Sequence, residues 1–352
     1  MKYSLKIFTI LGIPVELHIS FLLLMGFIYA LAILNLIPGV NLQTALLITL
    51  LFVTVVLHEL GHSYLAQKYG VRIERIILLP IGGVSAMEEL PKEPGQELRI
   101  SLAGPMVNFL IAFICYFLLL LLKGSYVGIS SFLSYFILIN LILGAFNLLP
   151  AYPMDGGRVL RALLAERVSY VRATELAAAI GKYLAITMAI VGIFYFQNIF
   201  LVLIALFIYI GAEQEYQAIM ISNILGGILV ENIMSHDVKT VKPDDHVNDV
   251  LQTMYQEGHM GYPVIDQDEI VGIVTFDDLS HLKKEDLETS IKKFMTTELI
   301  FASPLEPVTS ALEKLNQHRI GRLPVKENSR LVGIISRSDI MRALEIMKVK
   351  SV

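Results

Sequence analysis

His58, Glu59 and His62 stand together in the run His58-Glu59-Leu60-Gly61-His62. On a helix, positions i and i+4 share one face, so both imidazoles can be offered to a single metal ion. Glu59 is placed to reach a water in that ion's open position. Two histidine ligands, a general base and a free coordination site are the parts of a zinc hydrolase centre. The competing reading is a solvated histidine pair on an amphipathic helix. The surroundings count against it, because residues 46–57 carry no charge and the helix is expected to continue to about Tyr69. Ionisable groups inside an apolar span are costly in lipid and persist mainly where they bind or react.

The chain that must position this cluster has 352 residues, 55% of them hydrophobic and only 17% charged, with mean hydropathy +0.64. That is membrane-protein composition. Polar residues concentrate after about residue 213, which divides the chain into a lipid-embedded part and a water-soluble part. The single cysteine, Cys115, excludes an internal disulfide and is read as a packing residue. Apolar stretches long enough to cross a bilayer run over about 18–38, 46–69, 100–122, 131–149, 174–195 and 198–212, the last being short. The first is broken by Pro14, Glu16 and His18 on its N-terminal side, and no small-residue cleavage site follows, so it is read as retained. Residues 3–16 are expected to form a surface segment or strand pair turning at Gly12-Ile13-Pro14.

Lys2, Lys6, Lys68, Arg72, Arg75, Lys92, Arg99, Arg158, Arg161, Arg167 and Arg172 all fall on one side of this topology, against Lys123 on the other. The positive-inside rule then puts both termini in the cytoplasm. His58 lies ten residues before Lys68, about 15 Å of helix, so a bound metal would sit inside the membrane towards its cytoplasmic side. Lys182, Glu213 and Glu215 are read as interfacial or loop charges.

A catalytic zinc usually has three protein ligands. Asp155 is the candidate third, in Asn147-Leu148-Leu149-Pro150-Ala151-Tyr152-Pro153-Met154-Asp155-Gly156-Gly157-Arg158. Asp-Gly alone is an ordinary turn. However, the second and fourth spans both run inwards, which brings Asp155 to the depth of the histidines, and broken helix at membrane depth is tolerated when it lines a cavity.

With these pieces the first 220 residues resemble the site-2 protease family of intramembrane zinc metalloproteases, especially its archaeal branch. The matching elements are His58 to His62, the N…PxxDG element from Asn147 to Gly156, Gly82-Gly83-Val84, and Ala103-Gly104-Pro105 with Asn108. The resemblance implies His58, His62 and Asp155 as ligands of one zinc per chain and Glu59 as catalytic acid and base. It also implies Asn147 as a polar group beside the scissile peptide. Residues 72–87 then offer a strand edge to an unwound substrate, while Ala103-Gly104-Pro105 is assigned to close helix packing. Membrane-anchored protein substrates are expected to enter laterally from the bilayer, between the first and the last two spans.

Residues 229–346 repeat at one offset of 61. Met234 matches Met295, Pro263-Val264 matches Pro324-Val325, Gly272 matches Gly333, Thr275 matches Ser336 and Asp278 matches Asp339. Each copy reads as strand, helix, strand, strand, helix. This resembles a tandem pair of CBS domains, over 229–283 and 290–346 after a linker at 221–228. The resemblance implies an adenine nucleotide held by Thr275, Asp278, Ser336 and Asp339, although a carboxylate at a helix start is also simply a cap. The expected architecture is a polytopic α-helical membrane protein with about six transmembrane helices and a small membrane-associated β region, followed by a soluble α/β CBS pair. The CBS pair is expected in the cytoplasm and able to dimerise, and no nucleic-acid partner is expected. A CBS-regulated ion transporter and a non-catalytic membrane scaffold are the alternatives. The first calls for intramembrane acids along a conduction path, and the second has no use for Glu59.

Overall fold

A short hairpin begins the chain because Leu11 and Gly12 both adopt left-handed backbone, φ 53° and 79°, the turn geometry that matches strand twist. It joins β1 (Ser4–Ile10) to β2 (Ile13–His18). The computed structural model describes residues 4–87, 91–122, 127–267, 269–328 and 330–350. Lys2 and Lys123, used above to orient the chain, lie outside them. The chain divides into two units, Met1–Ile219 and Met220–Val352.

In the first unit, the His18 side chain accepts from Ser20 N–H and starts α1 (Ile19–Leu34), which ends where Asn35 turns left-handed. Asn41 caps α2 (Leu42–Lys68) by accepting from Thr44 N–H. After Gly70, β3 (Ile73–Leu79) and β4 (Gly82–Met87) form a second hairpin. Glu93 caps α3 (Pro94–Leu121), and α4 (Val127–Asn147) ends at the proline-rich loop. That loop delivers α5 (Asp155–Ala165), followed by α6 (Tyr170–Phe194) and α7 (Ile199–Leu225). The sheet order is β1-β2-β3-β4, with β2 and β3 parallel and both hairpins antiparallel. Thus β4 is an edge strand. Ile13, Val15, Ile76 and Leu78 of the sheet pack on Phe52, Val56 and Leu60 of α2, which fixes the sheet against the helix that bears both histidines.

Among the described residues five helices, α2, α3, α4, α6 and α7, are long and apolar enough to cross a bilayer, and α1 is a shorter apolar helix. Helix α1 has 16 residues, about 24 Å of rise against a hydrocarbon core of about 30 Å. The stretch expected at 198–212 is instead the start of a 27-residue helix, since Glu213 and Glu215 find partners and do not end it. Large apolar side chains such as Phe113, Phe117, Ile190 and Phe194 are exposed, as lipid-facing positions require.

The second unit contains α8 (Val247–Glu257), β5 (Gly261–Asp266), β6 (Glu269–Thr275) and α9 (Phe276–Ser280), then α10 (Val308–Gln317), β7 (Arg322–Glu327), β8 (Arg330–Ser336) and α11 (Arg337–Lys350). The two hairpins share one register, and each slips at the same place, Val264/Ile265 and Val325/Lys326. The copies also exchange contacts reciprocally. Ser235 bridges to Ile334 while Thr296 bridges to Ile273, and Met234 closes on Gly333 as Met295 closes on Gly272. The leading strand expected in each copy is reduced to a single parallel bridge, Val241 to Val264 and Ala302 to Val325.

Candidate metal centre and substrate cavity

Helix α2 puts His58 and His62 on its buried face, and the loop before α5 brings Asp155 against them from 97 residues away. His58 Nε2 lies 3.1 Å from His62 Nε2 and 3.1 Å from Asp155 Oδ2, and His62 Nε2 lies 3.2 Å from that same oxygen. The outer nitrogens fix the tautomers. His62 Nδ1–H donates to the Ile100 carbonyl at 2.7 Å, and His58 Nδ1–H donates to Asn108 Oδ1 at 2.6 Å. Both Nε2 atoms therefore present lone pairs, and with the carboxylate three acceptors face one another without a donor between them. A bound cation would satisfy that arrangement. Ligand atoms about 2.0–2.1 Å from a tetrahedral zinc would be roughly 3.3 Å apart, so the residues present fit such an ion.

The packing around the cluster is equally specific. A Cβ on Gly104 would come within 2.2 Å of His62 Nε2 and 2.6 Å of His58 Nε2, so α3 touches both imidazole rings. Ala103-Gly104-Pro105 with Asn108 therefore does more than pack helices: it leaves room for both rings and holds one of them. Glu59 is half-buried beside the cluster, and its Oε2 accepts from Ser85 Oγ–H of β4 at 2.6 Å. A Cβ on Gly83 would meet Glu59 Cγ at 2.8 Å, which explains that glycine, while Gly82 is needed for its φ of 137°. Ser85 is a contributor that sequence alone did not signal.

These groups open into a cavity of about 590 Å³. Its walls include the β4 residues Gly83 and Val84, the α4 residues Phe146 and Asn147, and Arg158 of α5. The Asn147 side-chain amide donates to the Leu143 carbonyl at 3.0 Å, so Asn147 faces the cavity with a bond it can exchange.

The loop carrying Asp155 is clamped from below. Arg161 is buried and donates through Nε to Glu97 Oε1 at 2.8 Å and through Nη1 to Glu215 Oε1 at 2.9 Å. Its guanidinium also lies over the rings of Tyr152 and Tyr170. Glu97, fully buried, was not singled out in the sequence. Glu215 is thus an ion-pair partner and not a loop charge. Lys182 and Glu213 likewise pair with each other at 2.7 Å.

In the second unit Asp278 Oδ2 accepts from Thr275 N–H and Oγ1–H, at 2.8 and 2.7 Å. Asp339 Oδ2 accepts from Ser336 N–H and Oγ–H, at 2.9 and 2.6 Å. Each Asp/hydroxyl pair is a helix cap that uses one carboxylate oxygen. Asp339, Asn232 and Arg342 also line a cavity of about 250 Å³.

Residues 46–128 and 125–190 match Peptidase family M50, and residues 230–285 and 291–346 each match the CBS domain. Zinc metalloprotease MJ0392 of Methanocaldococcus jannaschii is 42% identical over 352 residues, covering 99% of this chain and 98% of the relative. The chain belongs to the M50 peptidases. Stage IV sporulation protein FB of Bacillus subtilis is 34% identical over 151 residues, 43% of this chain and 50% of the relative. A solved structure of the site-2 protease from Methanocaldococcus jannaschii covers 61% of this chain and 95% of its own, at 47% identity and a TM-score of 0.44. This M50 peptidase is accordingly a metalloprotease of the site-2 protease type carrying a CBS pair, and its apolar helices are those of a multi-pass membrane protein.

Proposed function

We propose that the enzyme hydrolyses peptide bonds within or near transmembrane segments of membrane-anchored substrates, with His58, His62 and Asp155 holding one zinc ion per chain. The observation that carries this reading is the convergence of three lone-pair donors, with Glu59 beside them, at a cavity within an apolar helical unit. A zinc ion there supplies a Lewis acid and a water of near-neutral pKa. Glu59, one oxygen held by Ser85, takes the proton of the attacking water on its other oxygen and returns it to the leaving amine. Asn147 exchanges its bond to Leu143 for one to the developing oxyanion. The free edge of β4 pairs with the unwound substrate, whose carbonyls would otherwise stay within helical hydrogen bonds. Metal analysis with cleavage of a reconstituted transmembrane substrate tests this. Wild type should bind one zinc and cleave, Glu59→Gln should bind zinc without cleaving, and Asp155→Ala should do neither. Full zinc in Asp155→Ala would remove Asp155 from the site.

The working division is a protease domain over 1–220, a linker over 221–228 and CBS domains over 229–283 and 290–346, with both termini cytoplasmic. The CBS pair binds adenine nucleotide and modulates cleavage. Asp278 and Asp339 each keep one carboxylate oxygen for ribose hydroxyls, and Arg342 faces the cavity beside Asp339 as a phosphate partner. Modulation requires that nucleotide bind two forms of the enzyme with different affinity. Nucleotide titration of the full chain, followed by cleavage rates across the same range, checks both steps.

A further inference from the structure

Arg158 is a cation in the wall of the substrate cavity that the chemistry above does not use. It lies one helical turn beyond Asp155 on α5, so the two side chains share a face. Among the described residues lining the cavity it is the one lysine or arginine. It is half-buried, and no hydrogen bond or ion pair of its own is found among the described residues. Its field reaches Glu97 and Tyr170, but Glu97 is already bonded by Arg161. The next cation along the helix is thus consumed in the fold, while Arg158 has no hydrogen-bonded or ion-paired partner among the described residues. The carboxylates that share its cavity are engaged elsewhere, Asp155 with His58 and His62 and Glu59 with Ser85.

Its setting favours an anion. Away from the histidine–carboxylate cluster and Glu59, the wall includes the apolar side chains Val55, Leu143, Phe146 and Phe207, beside which charge is weakly screened. The first turn of a helix is itself electropositive and an unfavourable place for a cation. Its one acid, Asp155, is turned to His58 and His62, so an incoming carboxylate would offset the charge of Arg158. Opposing charge at such a position rewards the matching partner and repels the wrong one.

We propose that Arg158 is a specificity-determining residue that selects substrates carrying an acidic side chain close to the scissile peptide. This rests on the proteolytic reading of the site. Most membrane segments carry Lys or Arg at their cytoplasmic ends, which Arg158 repels, so an aspartate or glutamate there marks a substrate from the background.

The test uses the full chain in lipid vesicles and a matched set of transmembrane substrates with Asp, Asn or Lys placed on either side of the scissile bond. Wild type, Arg158→Gln and Arg158→Glu are compared by the ratio of kcat/KM for Asp over Lys at each position, with zinc content as a folding control. Wild type should favour Asp about tenfold at one position. Arg158→Gln should flatten that ratio, and Arg158→Glu should invert it. An unchanged ratio in Arg158→Glu overturns the inference and leaves proteolysis intact. A uniform loss of rate on every substrate also overturns it, and assigns Arg158 to the support of Glu97. If wild type cleaves no member of the set and matches Glu59→Gln throughout, the proteolytic reading falls and the inference falls with it.

Discussion

The two units treat their carboxylates in opposite ways. In the protease unit Asp155 meets the Nε2 atoms of two histidines, one of them 97 residues away, and with both rings neutral and their Nδ1–H groups bonded elsewhere no donor lies between them. In the CBS unit Asp278 and Asp339 are satisfied by residues three positions earlier. The first arrangement is suited to an ion that would join its three acceptors, whereas the second folds complete and offers only spare capacity. A polar cluster short of donors therefore says more about a ligand than a well-capped one, even when both match family motifs. It also means that substitutions in the acceptor cluster should act on binding and turnover, and those of the two CBS aspartates mainly on local stability.

The largest effects should come from the acceptor cluster. His58→Ala, His62→Ala and Asp155→Ala should each lose zinc and all cleavage, as read by metal analysis and substrate proteolysis. Gly104→Ala should do the same, because its Cβ would lie 2.2 Å from His62 Nε2. Glu59→Gln should keep zinc yet lower turnover about 10³-fold or more, since the amide cannot take the proton. Normal turnover in that variant would remove the proposed base.

Much of this site was legible in the sequence because its chemistry is written in types that rarely enter apolar spans. His58, Glu59, His62 and Asp155 interrupt hydrophobic stretches, and the repeat announced itself through a constant offset. What stayed hidden depends on packing. Ser85 lies on a short strand among ordinary residues, and only the fold of β4 over α2 brings its hydroxyl to Glu59. Asn108 was visible as part of a motif, but its bond to His58 needs α3 pressed close against α2, which Gly61 and Gly104 permit. Glu97, Arg161 and Glu215 come from three helices, and no local pattern predicts that three charges will meet. The bounds of the spans were less legible for a simpler reason: apolar length does not mark where a helix begins or whether it passes its first charged residue.

The next tier probes the supports. Asn108→Ala should weaken zinc binding about 10–100-fold by freeing the His58 ring, as outer partners of metal ligands generally do; competition with a chelator measures it. Arg161→Met should destabilise the fold by about 3–5 kcal/mol, because Glu97 is left buried and unpaired. Restoring neutrality in Arg161→Met/Glu97→Gln should recover part of that loss. A double variant no more stable than the single one would show that the guanidinium acts through Tyr152 and Tyr170 instead. Smaller again is Ser85→Ala, which should lower kcat several-fold with zinc unchanged, since Glu59 loses orientation but not its proton affinity.

The smallest effect separates the two units most cleanly. Removing both CBS carboxylates, in Asp278→Ala/Asp339→Ala, deletes the return bonds by which they accept from Thr275 and Ser336, while the two hydroxyls still accept from the backbone N–H three residues on. Each whole cap contributes about 1 kcal/mol, so the CBS unit should melt at most a few degrees lower while zinc stoichiometry stays at one. That thermal shift alone would be expected of any capped turn and says nothing of a ligand. The informative measurement is the response to nucleotide. In wild type, adenine nucleotide at a hundredfold excess over its dissociation constant should stabilise the chain by about 2.7 kcal/mol, and in the double variant the stabilisation should vanish. If wild type gains nothing from nucleotide, the two aspartates are caps and no more, and the contrast between a cluster awaiting an ion and a carboxylate already satisfied becomes complete.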